Sequence, residues 1–281
     1  MERFLFLWYN IRMFAWYILV FLFGLIIGSF LNVVIYRLEK GGSALKGRSY
    51  CPHCKHTLSW RDLIPVASFL LLGGKCRYCK KSISLQYPLV ELGTACVFVL
   101  SFLAVRDLAQ GSLAVPQPDN FLIFQTFYLF VIASLLIVLF VYDLRHYILP
   151  DKILFPAIGL ALLWDLLVLR SLGEGGGFVV SGFAAVLFFF SIFALSKGRA
   201  MGFGDVKLAF FMGLFLGWPN ILVAFFTAFL AGAFTGVALI ALKKKGMKSE
   251  IPFGPFLIGG TLIALLAGKQ IVDWYLRLVL V

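Results

Sequence analysis

The sequence predicts an all-α polytopic membrane protein of about eight transmembrane helices, interrupted once by a small polar loop domain between spans 1 and 2. Three observations lead there. Hydrophobic residues make up 62% of the 281-residue chain and charged residues 14%, against an apolar share of ~45–50% in ordinary soluble domains. Uncharged stretches recur near the ~20 residues that a helix needs to cross a hydrocarbon core. Lysine and arginine collect in alternate loops, as they do where loops stay on the cytoplasmic side. The formal net charge of +12 is therefore read as a property of those loops. Membrane lipid is the expected surrounding, and nucleic acid is not an expected partner.

The first span is 13–36, without a formal charge. Arg3 and Arg12 precede it as in a signal peptide, but the run exceeds the ~7–15 residues of a signal core and no Ala-x-Ala-like site follows. It is expected to stay in the protein. Residues 37–86 are polar, with ten of the 25 Lys and Arg and only two acids, Glu39 and Asp62. The second span, 87–105, carries Glu91 about one turn in, where a carboxylate needs a partner, a polar cavity or a route to the interface. The sequence names no partner for it. A distal loop follows, and 121–142 returns as the third span and delivers Asp143.

Pro150 marks the entry to the fourth span, 153–169, because proline suits the start of a helix and not its interior. Asp151, just after it, reads as a helix-start acid favoured by unpaired amides. Asp165 falls near the distal end, at the lipid–water interface. A glycine-rich turn from Arg170 leads to the fifth span, 178–196. The uncharged run 208–242 would measure ~52 Å as one helix, against a core of ~30 Å. Gly217-Trp218-Pro219-Asn220 offers a turn inside it, giving a short sixth span that begins near Gly204 and a seventh at 221–242. The eighth is 251–268, preceded by a rigid Ile251-Pro-Phe-Gly-Pro255. This arrangement puts 19 of the 25 Lys and Arg, Lys243, Lys244, Lys245 and Lys248 among them, on one side of the membrane. That side is read as cytoplasmic.

Within the polar domain lie Cys51-Pro-His-Cys54 and Cys76-Arg-Tyr-Cys79. Each pair offers two thiolates on one tight turn, and two such turns complete a tetrahedral zinc site of the closed, structural kind. Two disulfides are the competing reading, disfavoured on the reducing side of a membrane. His53 and His56 read as loop residues, and Cys96 in its apolar run as an inert buried thiol. The domain is thus a small cytoplasmic zinc-binding loop domain.

Two carboxylates stand at the membrane edge on that same face, Asp143 and Asp205. Asp205 lies in Gly202-Phe203-Gly204-Asp205-Val206-Lys207. An ionisable group at the mouth of a hydrocarbon-length segment is costly, which marks it as functional. Facing one another, two such acids share one proton. The ionised member accepts a proton from water while the protonated one polarises a carbonyl. Gly202 and Gly204 leave room for a close substrate backbone. Lys207 either tunes Asp205 or is an ordinary loop lysine. The bland alternative for both aspartates is helix capping at the interface.

The Gly-x-Gly-Asp-x-Lys element, with Asp143 followed by Ile148-Leu149-Pro150-Asp151, resembles the type IV prepilin peptidase family of membrane aspartyl proteases. It is shared more distantly with presenilin-type proteases. Gly28-Ser29-Phe30-Leu31-Asn32-Val33-Val34-Ile35-Tyr36-Arg37-Leu38, Tyr87-Pro88-Leu89-Val90-Glu91-Leu92 and Pro252-Phe253-Gly254-Pro255-Phe256-Leu257 are similar to further family segments. Two departures are Glu39, where the family often has proline, and Gln86, where arginine commonly precedes Tyr-Pro. The resemblance implies a multi-pass enzyme of the bacterial inner membrane that cuts the short basic leader from type IV prepilins and pseudopilins. Asp143 and Asp205 are then the catalytic pair, and Gly202, Gly204, Lys207 and Glu91 substrate or active-site residues.

The resemblance also implies methylation of the new N-terminus with S-adenosylmethionine, although no glycine-rich fingerprint locates a cofactor site. Cys51, Cys54, Cys76 and Cys79 hold the zinc. The expected organisation is 1–36 for the first span, 37–86 for the cysteine domain, 87–120 for the second span and outer loop, and 121–281 for a six-span peptidase domain. Alternatives are a peptidase without methyl transfer, or a transporter or assembly factor using its acids for proton coupling. The latter would show duplicated hydropathy halves, and no convincing repeat is visible.

Overall fold

The computed structural model describes residues 2–41, 47–111, 119–169, 175–199, 201–242 and 251–279. Lys243, Lys244, Lys245, Lys248, Arg170 and most of the distal loop after the second span lie outside them. Among the described residues the chain forms nine α-helices and no strand. They are α1 (Glu2–Glu39), α2 (Ala67–Leu71), α3 (Gln86–Gly111), α4 (Asp119–His146), α5 (Asp151–Trp164), α6 (Gly175–Leu195), α7 (Phe203–Leu216), α8 (Asn220–Ala241) and α9 (Gly254–Val279).

Among the described residues six stretches are long and apolar enough to cross a membrane: Met13–Glu39, Gln86–Arg106, Asn120–His146, Gly177–Leu195, Asn220–Ala241 and Gly254–Val279. The other two predicted spans are the short helices α5 and α7, fourteen residues each and ~21 Å long. A π-helical turn, Asp165–Leu169, prolongs α5. Gly217 ends α7 at φ 64°, its N–H bonded to the carbonyl of Gly213 at 3.0 Å. That is the glycine-terminated helix end that the 217–220 turn foretells. Asp165 is buried within the protein, and its Oδ2 has no partner among the described residues.

The chain divides into two compact units, Met1–Val138 and Leu139–Val281, with the division falling inside α4. In the first, α1 and α3 pack along a seam of small residues. A Cβ at Gly28 would come within 2.6 Å of Glu91 Cα, and one at Gly24 equally close to Ala95 Cα. Lipid tails are as apolar as leucine, so close backbone approach is what holds two membrane helices together. Phe98 and Phe130 stack with ring centroids 4.2 Å apart, beside Val20 and Ala133. Ala95 faces α1, so Cys96, one residue on, is turned away. It is exposed, not the buried thiol expected from its apolar run.

In the second unit α6 meets α7 at Gly213, where a Cβ would lie 2.5 Å from Gly182 Cα. A cluster of rings, Phe189, Phe225, Phe229 and Phe253, with centroids 4.8 to 6.5 Å apart, joins α6 and α8 to the segment that opens α9.

Gly28→Val should force α1 from α3. The expected result is a destabilisation of ~1–3 kcal/mol, read as a lower unfolding temperature in detergent. Gly93→Ala, where an added Cβ meets nothing within 4 Å, should leave that temperature unchanged or slightly raised.

Candidate active site and metal centre

Asp143 sits in the last turn of α4, and Tyr147, at φ 58°, turns the chain back by donating its N–H to the Asp143 carbonyl at 2.9 Å. The Asp143 side chain is 4% exposed and accepts the backbone N–H of Gly254, the first residue of α9. Gly254 has no alternative residue type here. A Cβ on it would lie 2.5 Å from Asp143 Oδ2; the carboxylate occupies the space that a side chain would take.

Asp205 is the third residue of α7, 8% exposed, and its Oδ2 accepts the N–H of Gly202 at 3.2 Å. A carboxylate at this position suits the unpaired amides of a helix start. The charge of Asp143 acts on Asp205, so the two predicted acids, 62 positions apart in the sequence, stand within electrostatic reach of each other. Leu149 explains why. Its side chain lies 3.3 Å from the Cβ position of both Gly204 and Gly254, so the starts of α7 and α9 close on the same wedge.

Lys207 does not go to Asp205. Its Nζ bonds Asp151 Oδ1 at 2.7 Å and lies 5.2 Å from the centroid of Phe155 and 5.4 Å from that of Phe203. Asp151, expected mainly as a helix-start acid, stands in the first turn of α5 and is the lysine's partner.

In the first unit the two cysteine pairs adopt the same local form. Cys51 N–H bonds the His56 carbonyl and Lys55 N–H the Cys51 carbonyl; Cys76 with Lys81 and Lys80 with Cys76 repeat the pattern, at 2.9 to 3.0 Å. Lys55 and Lys80 both take positive φ, 60° and 59°. All five cysteines are free. The sulfurs of Cys51, Cys54, Cys76 and Cys79 lie within 4.8 Å of one another, Cys51 and Cys79 at 3.9 Å. A tetrahedron with Zn–S bonds of ~2.3 Å has sulfurs ~3.8 Å apart, so the four thiols fit a metal ion. Burial pushes the Cys51 thiol up, but the amides of Cys54 and His53 outweigh it and bring it down to about 7; the Lys81 amide lowers Cys79, but burial and the neighbouring sulfurs push it up to about 11, so Cys51 ionises before Cys79.

Asp62 fastens the second knuckle to the turn before α2. It accepts from Arg77 Nε at 2.7 Å, from Tyr78 Oη at 3.1 Å and from Ser59 Oγ at 2.8 Å. The His56 ring lies over that of Tyr78, centroids 3.7 Å apart, and joins the two knuckles.

Glu91, 7% exposed, finds the partners that the sequence could not name. Its Oε2 accepts the N–H of Val66 at 2.7 Å, and Ser29 supplies a hydroxyl. Val66 is held at φ 59°, ψ −50°, costly for a β-branched residue, with Ala67 N–H on the Pro65 carbonyl. Asn32, 1% exposed, donates to the Tyr87 carbonyl at 3.0 Å, and its Oδ1 has no partner among the described residues.

Residues 22–105 match the model of the bacterial peptidase A24 N-terminal domain, and 130–237 that of the type IV leader peptidase family. A prepilin leader peptidase/N-methyltransferase of Aeromonas hydrophila is 36% identical over 92% of this chain and 93% of its own. The chain belongs to the type IV leader peptidase family. Proteins with the same description from Bacillus subtilis and Pseudomonas aeruginosa are each 33% identical, over 93% and 94% of this chain and 98% and 94% of theirs. No solved structure matches at a significant level.

In the leader peptidase match both aspartates fall within 130–237, while the cysteines and Glu91 fall within the N-terminal match. Sequence reasoning missed Gly254 as the neighbour of Asp143 and Asp62 as the tie of the cysteine domain. The first had a signal in the Pro-Phe-Gly-Pro segment. The second had none, because Asp62 and Arg77 are far apart along the chain.

Burial would raise the Asp62 carboxyl, but Arg77, Ser59 and Tyr78 hold it at about 2. A folded value below the unfolded ~3.9 contributes stability that is present above ~3.9 and lost as the pH falls towards about 2. Asp62→Asn should therefore weaken the hold of the four-cysteine cluster on an added metal ion, read with Zn2+ against a chelator at pH 7, by roughly 10-fold. In thermal unfolding, its deficit relative to the parent chain should stay level from pH 8 to pH 5.

Proposed function

We propose that this chain is a membrane aspartyl endopeptidase that removes the short basic leader from type IV prepilins and pseudopilins and then methylates the new N-terminal amine. The observation that carries the reading is the convergence of Asp143 and Asp205 in a chain whose relatives, similar over nearly their whole length, are described as prepilin leader peptidase/N-methyltransferases. Those descriptions also favour it over the transporter reading.

In this mechanism one aspartate, ionised, takes a proton from a water while the other, protonated, donates to the scissile carbonyl. The Gly254 amide aims Asp143, and the Gly202 amide aims Asp205. As the tetrahedral intermediate collapses, the proton taken from water passes to the leaving amine. A prepilin is itself a membrane helix with a basic leader on the cytoplasmic side. Its scissile amide is freed only by local unwinding, and the glycines at 202 and 204 leave space for that strand. The orientation follows the distribution of Lys and Arg, with the aspartates and the cysteine domain facing the cytoplasm of a bacterial inner membrane.

Cys51, Cys54, Cys76 and Cys79 would hold a structural Zn2+, a closed set that leaves no position for water. S-adenosylmethionine supplies the methyl group when bound. Asn32, whose buried Oδ1 has no partner among the described residues, and the nearby Glu91 are acceptors in the first unit that suit its amino groups. Glu91 also keeps the strained turn at Val66 in place.

Asp143→Asn and Asp205→Asn should each lower cleavage of a prepilin substrate by roughly 10²–10⁴-fold or more, measured with purified enzyme in detergent. Each variant should still methylate an already processed pilin, detected by mass spectrometry as one added methyl group. Gly254→Ala, which displaces Asp143, should follow the same pattern. Full cleavage by either Asn variant would remove the pair from the mechanism.

A further inference from the structure

We infer that Asp151 and Lys207 form a clasp that positions the catalytic Asp205, so that Asp151, which faces no reacting atom, sets the turnover rate of the peptidase. This deepens the proposed peptidase function and rests on it.

Lys207 lies two residues after Asp205 on α7, ~200° around the helix. The two side chains therefore leave α7 on opposite faces. The lysine reaches across to α5, where its Nζ meets Asp151 Oδ1 at 2.7 Å. It is flanked by two rings, Phe155 one turn along α5 and Phe203 at the first position of α7. Cations over aromatic faces are held in place by the ring quadrupole, so the lysine is fixed by both helices at once. Its side chain is 23% exposed and that of Asp151 52%. An ion pair this open adds little to global stability. What it does is local: it ties the first turn of α7 to the first turn of α5.

That tie matters because of what else the two turns carry. The residues before α5, Leu149 and Pro150, follow directly from the loop that Asp143 opens. Leu149 packs at the Cβ positions of Gly204 and Gly254, and Gly254 holds Asp143. Asp205 is thus set on one side by the Leu149 wedge and on the other by the clasp. Loss of the clasp leaves α7 hinged on Gly202 and Gly204, and a misplaced catalytic group slows the chemical step more than it weakens substrate binding.

The test is steady-state cleavage of a prepilin substrate by the full-length enzyme in detergent, for Lys207→Met, Asp151→Asn, the charge-exchanged Asp151→Lys/Lys207→Asp pair, and the conservative Lys207→Arg and Asp151→Glu. Each neutralising variant should lower kcat by roughly 10-fold with KM within about twofold of the parent, and the shape of the pH–rate profile should not move. The exchanged pair should recover most of the lost kcat, and the conservative variants should retain it. Methyl transfer to a processed pilin and the unfolding temperature report an intact fold.

Asp151→Asn with parental kcat overturns the clasp. So does a profile displaced by Lys207→Met but not by Asp151→Asn, since the lysine would then act on Asp205 by charge alone. Neither outcome touches the peptidase reading itself, which fails if either Asn variant, at 143 or at 205, keeps full cleavage.

Discussion

A carboxylate at the end of a membrane helix must find donors close by, because the surrounding hydrocarbon offers none. Asp143 finds one in the backbone of Gly254, at the start of a helix more than a hundred residues further on. The contact constrains both partners. Residue 254 can carry no side chain, since Asp143 fills that space, and the last turn of α4 must end where α9 begins. The other parts of the second unit are arranged around this constraint. Leu149 wedges between the starts of α7 and α9, α7 ends early at Gly217, and Asp205 is turned inward at the third position of its helix.

The first unit follows a different logic. Its helices meet through Gly24 and Gly28, and its polar residues, Ser29, Asn32 and Glu91, lie along one seam that reaches the cysteine loop through Val66. The loop is too small to fold on apolar burial alone. It is held by the charged tie of Asp62 with Arg77, and its four sulfurs stand close enough to share one metal ion. The strained turn at Val66 persists because Glu91 fixes it from a membrane helix, so the loop and the span are one device. Relatives described by two activities are similar to this chain across both units.

Much of this was legible in the sequence, and for identifiable reasons. Charge-free runs of hydrocarbon length gave five spans to within a few residues and the start of a sixth, whose helix continues past the predicted end at 268 to Val279 because Lys269, Asp273 and Arg277 do not stop it. Paired Cys-x-x-Cys spacing gave the four-sulfur cluster, because two ligands on one tight turn are a local property. Asp143 and Asp205 stood out because an acid at a membrane edge is costly wherever it lies. What stayed hidden depends on pairing between distant segments. The partner of Lys207 is Asp151, the partner of Glu91 is a backbone amide, and Asp165 is buried in a π-helical turn. Cys96 faces outward because Ala95 is the residue against α1, a choice that the uniformly apolar span does not encode. Gly24 and Gly28 carried a signal in their spacing of four, but a glycine in an apolar run becomes legible only when the facing backbone is known.

The central claim is that the ends of α4 and α7 bring positions 143 and 205 face to face. Cysteines placed at both, in a chain with Cys96 replaced by serine, can be bridged by a short bifunctional thiol reagent and the product read by mass spectrometry. A 143–205 bridge should form in high yield. Cysteines at 165 and 205 should give none, because Asp165 lies beyond the far end of α5, ~21 Å from the Asp151 end that holds Lys207. Single cysteines that each label freely while the 143–205 pair yields no bridge would contradict the account.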